Sequence, residues 1–193
     1  MKALVSIITV NYNGLRDTCE MIDSFRNHET YPHYEIIVVD NGSRLPEAEE
    51  IQERYRSNLV PGGSLSGNPA SDNPASFPPV KVVRNINNGF AGGNNAGLKA
   101  AGGDYLFFIN NDTLIKEPVL EALVRRMECD PQRNGGVSPM LKFAACPDIL
   151  QYAGFTPLSS LTLRNASIGF MQQDGPRFRT PCETASLHGA AMM

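Results

Sequence analysis

Three apolar segments that each stop abruptly on Asn or Asp constrain this chain more than any other feature. "ALVSIITVNYNG" is rich in β-branched residues and breaks at Asn13-Gly14; "YEIIVVDNGS" carries Ile36 to Val39 into Asp40; "DYLFFINNDTLI" carries Tyr105 to Ile109 into Asn110, Asn111 and Asp112. Apolar runs without alternation are strands buried on both faces, as in a parallel sheet covered by helices. Between the first two, Leu15, Cys19, Ile22 and Phe25 recur at helical spacing. Strand, helix, strand predicts a right-handed crossover and an α/β fold.

The remaining elements are weaker signals. A helix is predicted over "PEAEEIQERYRSN", with Pro46 at its start and acidic residues in its first turn, where the helix dipole favours them. Residues 58–79 are dominated by Pro, Gly, Ser and Asn without periodicity and are expected to form a flexible insertion. "VKVVRN" supplies a third strand, and "NNGFAGGNNAG" reads as a glycine-rich turn before a short helix from Ala96 to Ala101. "EPVLEALVRRMECD" predicts a helix with Leu120, Leu123, Val124 and Met127 facing inward. "GVSPMLKF", "QYAGFT" and "SLHGAAMM" read as short strands among loops.

At 193 residues and 41% hydrophobic content, one domain with its own core is expected. A net charge of -3 leaves no broad cationic surface, which argues against binding to nucleic-acid backbone or anionic membrane as the main function. Four cysteines lie far apart with no C-x-x-C pair, so neither a zinc knuckle nor a disulfide framework is predicted, but reduced structural thiols in a cytoplasmic protein. "ALVSIITV" is too short to span a bilayer and lacks a signal-peptide cleavage pattern.

In an open parallel sheet, ligands bind at the carboxyl ends of the strands. Asn11 to Asn13, Asp40 to Ser43 and Asn110 to Asp112 are therefore predicted to face one crevice. The Tyr12 ring suits a flat base, and Asp40 suits a ring N–H or a ribose hydroxyl. Asn110 and Asn111 suit sugar hydroxyls, and Asp112 suits Mg2+ or Mn2+, which one or two carboxylates hold together with substrate phosphates. Each also reads as rim packing or an ordinary Asx turn. Gly89, Gly92 and Gly93 allow backbone to approach a ligand, although the segment is neither a P-loop nor G-x-G-x-x-G. His188 reads either as an aid to a leaving diphosphate or as a structural residue. His28 and His33 are expected at the surface, and Arg125 and Arg126 on a solvated helix face.

Taken in order, "VSIITVNYNG", "YEIIVVDNGS", "NNGFAGGNNAG", "DYLFFINNDT" and "HGAAMM" resemble glycosyltransferase family 2 in its rhamnosyltransferase-like branch. The resemblance spans nearly the whole chain apart from residues 58–79. It implies a GT-A fold, with a mainly parallel central sheet, flanking helices and a Rossmann-like N-terminal half. It also implies a UDP- or dTDP-linked sugar donor, inversion at the anomeric carbon, and a glycan or lipid-linked acceptor in cell-surface polysaccharide synthesis, with peripheral association of the longer protein at the inner face of the membrane. On that resemblance Tyr12, Asn13, Asp40, Asn87, Gly89, Asn94, Asn110 and Asn111 bind the nucleotide-sugar, and Asp112 is the metal carboxylate within an "NND" that departs from Asp-x-Asp at its first position.

The family's Phe-Asp-Glu stretch and Glu-Asp motif, which carries the general base, do not occur here. A single GT-A-type domain over residues 1–193, C-terminally incomplete, is therefore expected, with its catalytic base beyond Met193. General-base catalysis contributes on the order of a hundred- to ten-thousandfold, so donor binding is expected to outlast turnover. The alternative is a nucleotide-sugar-binding module without chemistry. A dehydrogenase would need a dinucleotide fingerprint where this chain has "NYNGLRD".

Overall fold

The computed structural model describes residues 2–56 and 78–193. Apart from Pro78 and Pro79, the expected insertion lies outside the described residues. The elements run β1 Val5–Asn11, α1 Leu15–His28, β2 Tyr34–Asp40, α2 Glu47–Arg56, β3 Val80–Arg84, α3 Gly89–Ala100, β4 Tyr105–Ile109, α4 Leu120–Cys129, β5 Leu141–Phe143, β6 Cys146–Tyr152 and β7 Ala191–Met192. The main sheet has the order β3-β2-β1-β4-β7. Its first four strands are parallel, and β7 joins β4 antiparallel; β5 and β6 form a separate antiparallel pair.

Both faces of the sheet are covered, as the unbroken apolar strands require. Val5, Ile7, Ile36, Val38, Phe107 and Ile109 face α1, α2 and α4, which contribute Ile22 and Phe25, Ile51 and Tyr55, and Leu120 and Leu123 to one core. Ile8, Ile37 and Val39 face the other way and pack beneath Ala96 and Ala100 of α3. Burying one such aliphatic side chain is worth roughly 1.5–3 kcal/mol, so the strand interiors alone hold the central four strands together.

The glycine-rich segment differs from its prediction: it is helix from Gly89 onward, not a turn before a short helix. A Cβ on Gly97 would lie 2.5 Å from Cγ2 of Ile8, and one on Gly93 would lie 2.9 Å from Cγ1 of Val10. The helix sits so close on the sheet that side chains do not fit at these positions. Each glycine costs a helix up to about 1 kcal/mol, which close packing offsets. The role foreseen for Gly93, backbone approach to a ligand, is taken by the sheet instead.

Of the C-terminal strands, β5 and β7 are shorter than predicted, while β6 begins earlier than "QYAGFT" and stops at Tyr152. Pro139 carries no N–H for a ladder, and "GVSPMLKF" is strand only over Leu141–Phe143. Val137 instead exchanges two backbone hydrogen bonds with Met193, at 2.9 and 2.8 Å. All four cysteines are free, but only Cys19 is buried; Cys129, Cys146 and Cys182 are exposed, so the structural reading holds for Cys19 alone. Among the described residues no helix is long and apolar enough to cross a membrane.

Candidate functional site

The chain steps outward from β1 to β2 to β3 and then returns to place β4 on the far side of β1. Such a reversal opens a crevice at the carboxyl ends of the strands on either side of it, here β1 and β4. Strand alternation then sorts the polar residues at that end into two groups.

Asn11, Asp40 and Asn111 point to the side of α1 and α2. Asn11 is paired with Asp40 in the sheet register and fully buried. Its Nδ2 donates to Asp40 Oδ1 at 3.1 Å, to Ser43 Oγ at 3.2 Å and to Glu47 Oε2 at 2.8 Å, while its Oδ1 accepts from Thr18 Oγ1 at 2.7 Å. Ser43 Oγ also lies against Asp40 Oδ1, and Gly14 N–H donates to Glu47 at 3.0 Å. Asn111 Nδ2 donates to Thr18 Oγ1 at 3.1 Å, which brings the end of β4 into the same network. Asp40 and Glu47 are buried carboxylates held by amide, hydroxyl and backbone donors; neither is in an ion pair with Lys or Arg among the described residues.

Asn41 and Asn85 to Gly89 lie on the α3 side. Asn41 Nδ2 donates to Asn87 Oδ1 at 3.4 Å and to Gly89 O at 3.2 Å, and its Oδ1 accepts from Asn85 Nδ2 at 2.8 Å. Gly89 opens α3 at φ 85 with nothing within 4 Å of its missing Cβ, a conformation that an L side chain adopts only with strain. Asn94 turns back onto its own helix, donating to Phe90 O at 3.1 Å.

Three of the predicted ligand residues are exposed at this end. Tyr12 is 45% exposed. Asn13 adopts φ 52, a left-handed conformation that Asn tolerates, and accepts Arg44 N–H through its side chain at 2.9 Å. Asp112 is exposed in a turn closed by Thr113 N–H on Asn110 O at 3.1 Å. Asn110 Oδ1 is buried with no hydrogen-bond partner among the described residues.

His188 sits beyond β7, its ring 4.8 Å from that of Tyr152 and nearly parallel to Phe155 at 6.1 Å. Its Nδ1 accepts Ala190 N–H at 3.1 Å, and burial pushes its pKa below the ordinary value. A neutral ring that accepts at Nδ1 carries its proton on Nε2. Ala190 O in turn receives Asn110 N–H at 2.9 Å, the link between this packing and the strand end.

Tyr12, Asn13, Asp40 and Asn111 therefore gather around one network, and Asn87 and Gly89 around a second; Asn94 and His188 are engaged elsewhere. Asn11 and Asn41, which lie in the strand ends predicted to face the crevice, join these networks, and so do Thr18, Asn85 and Glu47, which the sequence reading did not single out. Glu47 carried one signal: it opens a helix whose first turn is acidic, four residues after Ser43. No group of three or more His, Cys, Asp or Glu able to hold a metal occurs among the described residues. A cavity of about 930 Å³ opens between α4 and residues 178–187, but none of the polar residues at the ends of β1, β2 and β4 lines it. A second, of about 510 Å³, opens between β3 and α3 against Asn85, Asn88 and Gly92, adjoining the α3-side group. The convergent polar side chains identify the crevice better than cavity size does.

Comparison with known proteins identifies the family and the fold. The sequence model of "Glycosyl transferase family 2" matches residues 6–134. An uncharacterized glycosyltransferase of Haemophilus influenzae is 26% identical over 132 residues, which is 68% of this chain and 37% of that protein. Glycosyltransferase GlyG of Streptococcus pneumoniae is 26% identical over 129 residues, 66% of this chain and 36% of that protein. The chain thus spans little more than a third of the length of these relatives.

Among solved structures, S. aureus TarS 1-349 superposes with TM-score 0.56 at 19% identity, covering 83% of this chain and 42% of that one. The same protein in complex with UDP-GlcNAc gives 0.53 at 21%, covering 72% and 34%. Mannosyltransferase PcManGT from Pyrobaculum calidifontis, in complex with GDP-Man and Mn2+, gives 0.54 at 18%, covering 74% and 36%. These likenesses establish the GT-A fold. With the family model covering both strand-end networks, the chain belongs to glycosyl transferase family 2.

Proposed function

We propose that this chain is the donor-binding part of an inverting, metal-dependent glycosyltransferase that moves rhamnose or another hexose from a UDP- or dTDP-sugar. The acceptor is a glycan or a lipid-linked saccharide in cell-surface polysaccharide synthesis, met at the cytoplasmic face of the membrane. One observation carries the reading: the polar ends of β1, β2 and β4 converge at the switch between β1 and β4, with Tyr12 and Asp112 exposed there. In support, TarS and PcManGT, which share the fold, are described with UDP-GlcNAc and with GDP-Man and Mn2+.

The electrostatics of this end favour a cation. Asp40, Glu47 and Asp112 bring negative charge to the crevice, and the first two meet only neutral donors among the described residues. A diphosphate arriving there needs a counter-charge. Mg2+ and Mn2+ are held by one or two carboxylates plus substrate phosphates, so a single exposed Asp112 fits the requirement without a preformed cage. The ion would stabilise the charge that develops on the departing diphosphate. Of the chain's own residues, Tyr12 covers the base, and Asp40, anchored through Oδ1, accepts from the ring imide. Asn13, Asn87, Gly89 and Asn94 border the nucleotide, and Asn110 and Asn111 border the sugar. Thr18 holds Asn111 in place.

Residues 1–193 act here as one domain, with 58–79 as an insertion. Since the chain spans little more than a third of its relatives, the base that activates the acceptor is assigned to the remainder of the protein, and these residues bind donor better than they turn it over.

Calorimetric titration of UDP, dTDP, GDP and ADP with and without Mn2+ tests the reading. The pyrimidine diphosphates should bind more tightly, and more so with Mn2+. Binding of GDP as tight as UDP refutes the base assignment, and no binding of any diphosphate refutes the donor site. A binding module without catalysis is the reading that gains if the longer protein binds donor but transfers no sugar.

A further inference from the structure

Beyond Tyr152 the chain leaves β6 and returns beside it as a hairpin arm. Ala153 N–H bonds Ile168 O at 2.9 Å, Ile168 N–H bonds Gly154 O at 2.8 Å, and Thr156 N–H bonds Ala166 O at 3.0 Å. Ser159 N–H on Arg164 O and Leu163 N–H on Ser159 O, both 2.9 Å, close the tip. The side chains at that tip are Leu158, Leu161 and Leu163, exposed by 61%, 89% and 75%.

Three further features set this arm apart from an ordinary loop. Turns favour Gly, Asn, Asp and Ser, yet leucine occupies these positions. Leu163 has φ 54, a left-handed backbone where a bulky side chain is unfavourable, and such strain clusters at functional positions. From Phe155 to Gln173 there is no Asp or Glu, and Arg164 is the one charged side chain. The carboxylate that follows, Asp174, is already paired with Lys142 and Arg179, both at 2.7 Å.

A narrow tip with apolar ends, a cation beside them and no acid is unlike an ordinary solvated turn. It does suit the boundary between headgroups and acyl chains, where buried apolar area and attraction to anionic lipid add together. We propose that the arm formed by residues 153–168 seats Leu158, Leu161 and Leu163 in the interfacial layer of an anionic bilayer, with Arg164 against lipid phosphate. The proposal rests on the membrane setting given above, and its test contains neither donor nor acceptor, so it fails separately from the transferase reading.

The test is sedimentation of the full chain with vesicles of phosphatidylcholine containing a third phosphatidylglycerol, and with phosphatidylcholine alone. The chain should partition to the anionic vesicles. Exchanging all three leucines for serine should lower the partition coefficient by about tenfold or more, and Arg164→Glu by about fivefold. Leu98→Ser, which removes an exposed leucine on α3, should leave it unchanged. The chain contains no Trp, so Leu161→Trp adds a single reporter whose emission should shift to the blue on anionic vesicles; this variant exchanges one largely exposed side chain and does not depend on the triple variant folding. Unshifted Trp emission, equal sedimentation of the triple variant, or no sedimentation of the parent overturns the proposal. If light scattering shows a dimer that the triple variant lacks while neither binds vesicles, the leucines are a contact between copies, and the proposal is again overturned.

Discussion

The two ends of the central sheet both bury a carboxylate beside a strand, and they use it in opposite ways. At the amino end Glu35 accepts Ser6 Oγ at 2.7 Å and Gly102 N–H at 2.9 Å, and pairs with Lys81 at 2.6 Å. Gly103 N–H closes back on Ser6 Oγ at 2.9 Å, in a turn so tight that a Cβ on Gly103 would lie 2.6 Å from Ser6 N. Every partner returns to the same knot. At the carboxyl end Asp40 and Glu47 are as deeply buried, but their partners are neutral and their network leads outward to Asn13 and Asn111, beside Tyr12 and Asp112. A buried acid matched by its own cation fastens a fold, whereas buried acids held only by neutral donors leave a field for something else to answer.

Breaking the amino-end knot should have the largest effect. Glu35→Ala removes the buried acceptor of Ser6 Oγ–H and Gly102 N–H, while half-exposed Lys81 turns to water, and should cost about 2 kcal/mol of stability, read by chemical denaturation, with diphosphate affinity unchanged. Burial alone would raise the Glu35 carboxyl, but Lys81, Gly102 N–H and Ser6 outweigh it and hold it below the ordinary value. Its stabilisation is therefore complete above the unfolded pKa, about 4.3, and is lost as pH falls through the lower folded value. A variant that keeps its stability but loses nucleotide would invert the contrast between the two ends.

The same contrast explains what the sequence discloses. β1, β2 and β4 are legible because burial on both faces leaves unbroken apolar runs, and the polar strand ends stand out against them. Only the end of α3, from Ala96, is legible; its first half is not, because glycine's intrinsic dislike of helix is overridden by close packing on the sheet, as of Gly93 on Val10, a contact between residues far apart in sequence. Asp40 is legible as a candidate; its dependence on Asn11 and Glu47 is not, since Glu47 arrives from the following helix. β7 pairs with a strand some eighty residues earlier over two register positions, Phe108 with Met192 and Ile109 with Ala191. No local pattern encodes so short a ladder.

The next effect belongs to the carboxyl end. Asp112→Asn keeps side-chain size and turn-forming hydrogen bonds, so stability should change by less than about 0.5 kcal/mol. Mn2+-supported UDP affinity should nevertheless fall about tenfold or more, because the carboxylate is the charge that the ion requires. Titrations of both proteins with and without Mn2+, alongside their melting temperatures, decide it. Unchanged metal dependence, or a variant that unfolds, would make "INND" a structural turn and leave the carboxyl end without a role for its exposed acid.

The smallest effect concerns His188, which lies between the two behaviours. Its ring is packed like a core residue, yet through Ala190 it adjoins Asn110 at the strand end. Burial holds its pKa below the ordinary value of about 6.5, and Nδ1 already accepts a hydrogen bond, so protonation would forfeit that bond as well as charge a ring stacked on Phe155. A depressed folded pKa means that the unfolded chain takes up the proton first. The contribution of His188 to stability is thus complete above about pH 6.5 and declines as pH falls from there toward the folded value. Replacing it in His188→Asn should flatten the stability profile between about pH 6.5 and 5, above the range where ordinary carboxylates titrate. Denaturation midpoints of both proteins across that interval measure the difference. If the two profiles run parallel, the ring is not held neutral and its contact with β7 is incidental. If they diverge and UDP affinity of the parent falls over the same interval, then β7 supports the strand end through Asn110, and the carboxyl end of the sheet depends on packing behind it as well as on the polar groups that face the crevice.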